Sequence, residues 1–473
     1  MTTREEREQM TEVSTEQTAA QVIDLVRSAN PRAQAEVVVD RVDRALTRFA
    51  NSYIHQNVAE STGTVRLRLH LDGRTANGST TRIDRDGLAT LVDTTVAAAR
   101  HCPRDPQWPG LAPQAPTGAT GDADPDTAYA PPRARAERVR AFVDAAGGLE
   151  TAGYCATARW VRGFANSAGQ TAWAQTAEAA MDGIARTGGA DGVARLTSTR
   201  LDQLDGAVLG ARAAAKARAS VGAQPLAPGR YEVVLEPTAA VDLIYFLGVY
   251  GFNAKAMAEQ RSFVELGAAQ FDPAITLLDD PFQAGGAALP FDIEGTPRRR
   301  LALIERGISL ALTHDRRTAV QLGGTSTGHA TPPVPSIGSP GPLAPNLHLL
   351  PGGGAAATEV DSPAADSAVL DLVTGVRRGL LVTDNWYTRV LDPRTLVVTG
   401  LTRNGVWLIE NGEITTPVQN LRFTQSYPDA LAAGAVLGVG SHAVPLPTGW
   451  EASAHRVPAL RLASWNYTGN AAG

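Results

Sequence analysis

The first half of the chain shows helical and extended hydrophobic patterns in turn. Apolar residues recur every three or four positions over 15–28 and again over 84–100, which predicts two helices. Between them, the runs AEVVVDRV and ALTRFANSYIHQNVAES are typical of strands, and apolar and polar residues alternate over 65–71. The Asp72-Gly73 pair that follows indicates a hairpin turn. We therefore predict a small sheet flanked by helices.

Stretches rich in proline and glycine divide the chain. The segment 103–132 has too many of these residues for regular structure and is predicted to be a surface loop. An alanine-rich helix is predicted over 203–219, and the sequence VGAQPLAPG that follows at 221–229 is typical of a linker. We accordingly predict an N-terminal α+β domain at 1–225 and a second domain at 226–473.

The second half has mostly β-type patterns. It opens with the strand-like run RYEVVLEP and an apolar helix within DLIYFLGVYGFNAKAMAEQRS. A long insertion rich in Gly, Pro and Ser covers 323–363, and strand-like runs follow at GLLVTD, TLVVTGL, GVWLIENGEI and PALRLASW. The predicted fold class is therefore α+β, with a C-terminal, mainly antiparallel barrel or sandwich that carries one buried helix.

Composition and charge narrow the range of functions. Of the 473 residues, 43% are apolar and 19% are charged, which is typical of a globular protein. The net charge of -5 gives no reason to expect a nucleic-acid partner. The N-terminus lacks a signal-peptide pattern and no run approaches the length of a membrane span, so we expect a cytoplasmic protein. Cys102 and Cys155 match no ligand spacing and are expected to be buried thiols.

Several candidate ligands gather in one region of the second half without matching a metal motif. They are Asp279, Asp280, Asp292, His314, His329 and His348. No two of these histidines are four residues apart, and no GxSxG motif of a serine hydrolase occurs. The carboxylates are more typical of groups that cap turns. A relocated metal or hydrolytic site in this region stays open as an alternative.

Ordered sequence runs in both halves together resemble one known family. They are ALTRFANSYIHQNVAES with its following hairpin, LLDDPFQAGGAALPFDIEGTPRRRLALIERG, TGHA, PNLHLLPGG, GLLVTDNW and VWLIENGEITTPVQNLRFTQSYPDAL. In their order and spacing they resemble the TldD/PmbA family of bacterial and archaeal metallopeptidases. The resemblance covers most of the chain.

The resemblance implies that this chain has lost the zinc site of the catalytic members. Those members carry a His-Glu-x-x-x-His motif on the helix after the strand that resembles VVLEP, and a cysteine in a later strand. Here the corresponding positions hold Tyr245, Phe246 and Tyr250, and Val382 stands at the cysteine position. Zinc needs imidazole, thiolate or carboxylate ligands, and phenylalanine cannot activate a water molecule. Residues 243–258 contain no His, Cys, Asp or Glu as a replacement. We therefore expect no catalytic residue, metal or cofactor in this chain.

The family also implies a role for a member without ligands. Its members typically form pairs in which one subunit holds zinc and the other completes an enclosed chamber. By this resemblance the chain is a non-catalytic subunit that positions small, unfolded peptides beside a zinc-bearing, TldD-like homologue. Two alternatives remain: a homo-oligomeric binding or scaffold protein without a catalytic partner, and a hydrolase with a relocated active site.

Overall fold

The protein is built on two large β-sheets with helices packed against them. A computed structural model describes residues 14–117, 123–283, 286–333, 339–353, 363–448 and 452–471. In these ranges the first sheet has six strands and the second has eleven. The α+β fold class is as predicted.

The first sheet is antiparallel throughout, in the order β3-β2-β1-β4-β5-β6. Its strands are β1 (Gln34–Ala50), β2 (Tyr53–Leu71), β3 (Arg74–Thr80), β4 (Glu150–Asn166), β5 (Thr171–Thr187) and β6 (Ala190–Ser198). The predicted hairpin turn at Asp72-Gly73 is confirmed, with φ angles of 50° and 75°. The run ALTRFANSYIHQNVAES is not one strand, because the chain reverses at Asn51 and Ser52, both of which have positive φ.

Helices cover this sheet in two groups. They are α1 (Thr15–Ala29), α2 (Arg85–Ala99), α3 (Pro125–Ala128), α4 (Pro132–Ala145) and α5 (Gly206–Ala219), with a 3-10 turn at Leu201–Gln203. Helices α1 and α2 pack on the alternating apolar residues of β1 and β2, in a core that contains Val22, Leu67 and Leu91. The other core, between α4, α5 and the strands β4 to β6, is centred on Phe142 and Met181. The predicted loop 103–132 thus contains the short helix α3, while its residues 118–122 lie outside the described ranges.

The second sheet is mainly antiparallel and is not one simple closed barrel. Its strands are β7 (Gly229–Leu235), β8 (Leu277–Asp279), β9 (Leu301–Glu305), β10 (Ile308–Ser309), β11 (Leu347–Leu349), β12 (Arg378–Asp392), β13 (Val397–Glu410), β14 (Glu413–Pro417), β15 (Leu421–Ser426), β16 (Val436–Pro447) and β17 (Ala454–Asn470). The pairings run from β7 through β12, β13, β15 and β17 and return to β7. The remaining strands attach outside this ring.

One helix lies deep in the second half, as predicted. The helices here are α6 (Pro237–Phe246), α7 (Ala254–Ala258), α8 (Arg316–Leu322), α9 (Pro363–Thr374) and α10 (Tyr427–Ala430). Leu243, Ile244 and Leu247 are at most 1% exposed and belong to the main core between α6 and the sheet. The position of α6 is therefore fixed by apolar burial on several sides.

Part of the predicted insertion 323–363 belongs to this core. Leu347–Leu349 forms β11, which pairs with β8 and β17. Three residues between Pro- and Gly-rich segments are too short to give a recognisable pattern. Residues 334–338 and 354–362 of the insertion lie outside the described ranges.

Charged contacts join the two halves. Arg68 Nη2 lies 2.6 Å from Glu36 Oε1 and 2.7 Å from Glu294 Oε1 in the second half. The predicted linker 221–229 is itself bonded to the second sheet, because the Gln224 backbone N–H donates to the Pro417 carbonyl at 2.8 Å. The domain boundary at 225/226 stays a prediction.

Two further features bear on the sequence predictions. Cys155 is buried as predicted, whereas Cys102 is half-buried, and both are free thiols. No helix of the described ranges is long and apolar enough to cross a membrane.

Candidate functional site

A wide helical turn brings Tyr245 and Tyr250 to the same site. The α-helix ends at Phe246, and Leu247–Gly251 continues it as a π-helical turn in which the Phe252 N–H donates to the Leu247 carbonyl at 2.8 Å. In a regular α-helix, residues five apart point about 140° away from each other. A π-helical turn, in which each hydrogen bond joins residues five apart, removes most of this angle between the two side chains. Such turns are frequent at functional sites. The backbone thus suits a pair of side chains at the spacing of His-Glu-x-x-x-His.

These residues line a cavity of about 430 Å³ between α6 and β12. The rings of Phe246 and Tyr250 are nearly parallel, with centroids 5.7 Å apart, and Tyr245 meets Phe246 edge-on at 5.5 Å. The remaining lining residues are Asp242, Thr388, Arg389 and Val390. One wall of the cavity is therefore aromatic, and polar groups stand around it.

Asp242 supplies the carboxylate of this cavity. Its Oδ1 accepts a hydrogen bond from Thr388 Oγ1 at 2.9 Å, and its Oδ2 accepts one from the Tyr427 hydroxyl. Burial raises the pKa of Asp242 to about 6, although these two hydrogen bonds act in the opposite direction. The carboxylate is therefore ionised at neutral pH but poorly stabilised by its surroundings.

Val382 lies apart from the cavity, in the apolar core. Its side chain is 0% exposed, and its carbonyl accepts the Glu236 N–H at 2.9 Å beside the parallel β7–β12 ladder. The structure thus brings Tyr245, Phe246 and Tyr250 together at one cavity, whereas Val382 serves in packing.

Comparison with known proteins identifies the family. The model of the PmbA/TldA metallopeptidase C-terminal domain matches residues 228–469, just over half of the chain. The chain belongs to this PmbA/TldD family. It is also 25% identical over 243 residues to a protein named "Metalloprotease" from Methanothermobacter thermautotrophicus. That match covers 51% of this chain, and the chain spans about half (49%) of the length of that relative.

Solved structures share the fold over nearly the whole chain. TldE from Thermococcus kodakarensis is 18% identical, with a TM-score of 0.82, and the match covers 96% of this chain and 100% of that one. A candidate modulator of DNA gyrase from Bacteroides thetaiotaomicron is 20% identical, with a TM-score of 0.77, over 99% and 100% of the two chains. At these identities the likeness shows the fold alone.

The side chains at the cavity do not fit the zinc site that the PmbA/TldD family implies. Phe246 and Val382 carry no ligand atom. Burial, followed by the nearby Tyr250 and Asp242, raises the pKa of Tyr245, so its phenol stays protonated and is a poor metal ligand. Throughout the described ranges, no three His, Cys, Asp or Glu side chains stand together as a metal site would require. That these positions correspond to the family's ligand positions stays a prediction.

A buried pair accounts for two of the other candidate ligands. His329 Nε2 lies 2.9 Å from Asp279 Oδ2, and His329 Nδ1 lies 2.8 Å from Thr327 Oγ1. Burial alone would raise the pKa of Asp279, but His329 and the Asn346 N–H hold it below its usual range. The order of hydroxyl, imidazole and carboxylate resembles a hydrolytic triad. However, His329 and Asp279 are 0% exposed, so a substrate cannot reach the imidazole, and the pair joins the loop at His329 to the end of β8.

Two of the remaining candidates, Asp292 and Asp280, cap turns. Asp292 Oδ1 accepts the N–H groups of Glu294 and Thr296 at 2.9 Å, which confirms the predicted turn cap. Asp280 caps a turn in the same way, through the Phe282 N–H. Burial lowers the pKa of His348 to about 4, and the nearby Arg456 acts in the same direction. The pKa of the half-buried His314 is also lowered, and burial is the largest cause.

Sequence patterns did not single out several residues of the cavity. Asp242 stands three, four and eight residues before the three aromatic side chains, so helical spacing could have placed it on their face. Thr388, Arg389 and Tyr427 come from distant segments, and no local pattern connects them with α6.

Proposed function

We propose that this chain is a non-catalytic, cytoplasmic subunit of a heteromeric zinc-dependent peptidase, paired with a zinc-bearing homologue of the same family. The zinc and the water-activating base come from the homologue. This chain completes the chamber and positions small, unfolded peptides beside the partner's metal.

One observation carries the proposal: a π-helical turn brings Tyr245, Phe246 and Tyr250, none of which suits zinc, to one cavity at the place where the family resemblance implies the His-Glu-x-x-x-His motif. The π-helical turn still directs Tyr245 and Tyr250 to the site. By the family resemblance, Tyr245, Phe246 and Tyr250 stand at the positions of imidazole, carboxylate and imidazole groups in the catalytic members. Wide helical turns of this kind are frequent at functional sites, which supports descent from a catalytic site.

Association with the homologue is the first test. The full chain and a zinc-bearing homologue from the same organism are purified separately, mixed, and analysed by light scattering and by zinc analysis of each chain after separation. We expect a heteromer with zinc only in the homologue. An interface of 2,000 Å² or more is common in obligate complexes, so the heteromer should survive dilution. A stable homo-oligomer that ignores the homologue would instead support a separate binding or scaffold role.

Restored ligands provide a second test within this chain. The triple variant Tyr245→His/Phe246→Glu/Tyr250→His should bind zinc weakly and remain inactive alone, because Val382 offers no thiolate. The matched control adds Val382→Cys to the triple variant, which supplies the thiolate that the family resemblance implies. Because Val382 lies in the apolar core apart from the cavity, we expect this variant to bind zinc no more tightly than the triple variant. Stoichiometric zinc and peptide hydrolysis by the triple variant alone would contradict the assignment of these positions.

A further inference from the structure

The carboxylate of Asp242 is an unpaired negative charge in a cavity. In the part of the chain that the structure describes, it accepts two hydroxyl hydrogen bonds and takes part in no ion pair. An ionised carboxylate offers about four acceptor positions. About two of them therefore remain for a ligand, and a charge in such a place is costly unless it is paired.

The groups that donate hydrogen bonds to Asp242 are neutral hydroxyls. Burial, and after it the negative charge of Asp384, raises the pKa of Asp242. Tyr245 lies close enough that Asp242, after burial and Tyr250, contributes to the raised pKa of its phenol. Asp384 itself is paired with an arginine on β6, with an N–O distance of 3.1 Å. The cation at the cavity wall, Arg389, lies over the ring of Tyr387 at 4.4 Å. Among the described residues no ion pair joins Arg389 to Asp242, so the carboxylate remains available to a cation from outside.

The aromatic wall also favours a cation. The stacked rings of Phe246 and Tyr250 and the perpendicular ring of Tyr245 line the same cavity as Asp242. Aromatic faces attract organic cations within about 6 Å, most strongly where water is partly excluded. A metal ion would need two or more further ligand groups, which the cavity does not supply.

We propose that this cavity binds a primary ammonium group, with Asp242 as its counter-ion and Tyr245, Phe246 and Tyr250 as its aromatic cage. An ammonium group has three N–H donors and fits the free acceptor positions of Asp242. The volume of about 430 Å³ lies in the ordinary range of small-molecule sites and leaves room for the chain attached to the nitrogen.

Two sources share this chemistry: the N-terminus of an extended peptide and a lysine side chain. That the ligand is part of a peptide rests on the proposed function, whereas binding of a simple amine does not. In the heteromer, a site of this kind would hold one cationic group of a substrate at a fixed distance from the partner's metal.

The primary test compares n-butylamine with n-butanol, which has nearly the same shape but no charge. Binding to the full-length chain is followed by tyrosine and tryptophan fluorescence and by calorimetry at pH 7.5. We expect butylamine to bind at least tenfold more tightly than butanol. Equal binding of the two compounds, or no binding of the amine, would overturn the proposal.

Two controls tie this binding to Asp242. The variant Asp242→Asn should lose at least tenfold in affinity for butylamine, while Asp93→Asn, at an exposed position of α2, should bind as the unmodified chain does. In the unmodified chain, the affinity for butylamine should fall as pH decreases through about 6, because Asp242 then takes up a proton. Toward higher pH the affinity should stay constant until about pH 10, where the alkylamine loses its proton. This pH profile requires no variant. A flat profile over pH 5–7.5 would count against Asp242.

Peptides then distinguish the two sources. One lysine-free pentapeptide is used with a free N-terminus, the same peptide is used N-acetylated, and an N-acetylated version carries one lysine. Binding of the first alone assigns the N-terminus, and binding of the third assigns the side chain. If butylamine binds and no peptide does, the ammonium site stands and its link with a peptide substrate is overturned, independently of whether the chain joins the homologue.

Discussion

Replacing Asp242 with asparagine should stabilise the folded protein at neutral pH. Burial raises the pKa of Asp242 from about 3.8 to about 6, so the folded state holds this proton more tightly than the unfolded chain does. Between these two values the folded state binds more protons. The free energy of unfolding therefore falls as pH rises from about 4 to 6, and the loss persists above pH 6. A pKa difference of about two units between the folded and unfolded states corresponds to ~3 kcal/mol in the free energy of unfolding. This is an upper value because the Asp242 side chain is partly exposed.

Urea unfolding at pH 5 and pH 8, followed by tryptophan fluorescence, measures this effect. We expect Asp242→Asn to raise the free energy of unfolding by about 2–3 kcal/mol at pH 8 and by roughly half as much at pH 5. The amide keeps one oxygen as an acceptor for Thr388 or Tyr427. The control Asp93→Asn should change stability by about 0.5 kcal/mol or less at either pH. If the variant gains no stability at pH 8, or gains equally at both pH values, the claim that the cavity holds a poorly solvated carboxylate is refuted.

Two further predictions concern packing between elements. Arg68→Met should lower the free energy of unfolding by about 3 kcal/mol, because it removes the shared partner of two buried carboxyl groups, Glu36 and Glu294. An unchanged urea midpoint would show that this bridge does not stabilise the fold. Gly192→Ala should cost about 1–3 kcal/mol, because its new Cβ would lie 2.1 Å from the Ala213 carbonyl oxygen and push α5 away from β6. Calorimetry that finds the same Tm would argue against this close approach.

Local patterns predicted the elements of the fold better than their assembly. The helix over 15–28, the turn at Asp72-Gly73 and the buried helix α6 all depend on residues close in sequence, and the structure has them nearly where predicted. Strand β11 was missed because three apolar residues carry no period. The pairing of β17 with β7 joins Leu460 to Leu235, and no sequence pattern specifies such distant partners.

The candidate site could be predicted only in part for the same reason. The family resemblance pointed to Tyr245, Phe246 and Tyr250, and these side chains do meet at a cavity. Spacing on a regular α-helix would have separated the two tyrosines, and the apolar pattern of this segment did not predict the π-helical turn that brings them together. The contacts of Asp242 with Thr388 and Tyr427 span 146 and 185 residues, so they emerge only from the folded chain.

Peptide hydrolysis by the separated and combined subunits tests the central claim most directly. Unfolded peptides are incubated with this chain, with a zinc-bearing homologue from the same organism, and with the complex of the two, each with and without a chelator. The account predicts chelator-sensitive cleavage by the complex, little or none by the homologue alone, and none by this chain alone. Full activity of the homologue in the absence of this chain, or chelator-sensitive cleavage by this chain alone, would contradict it.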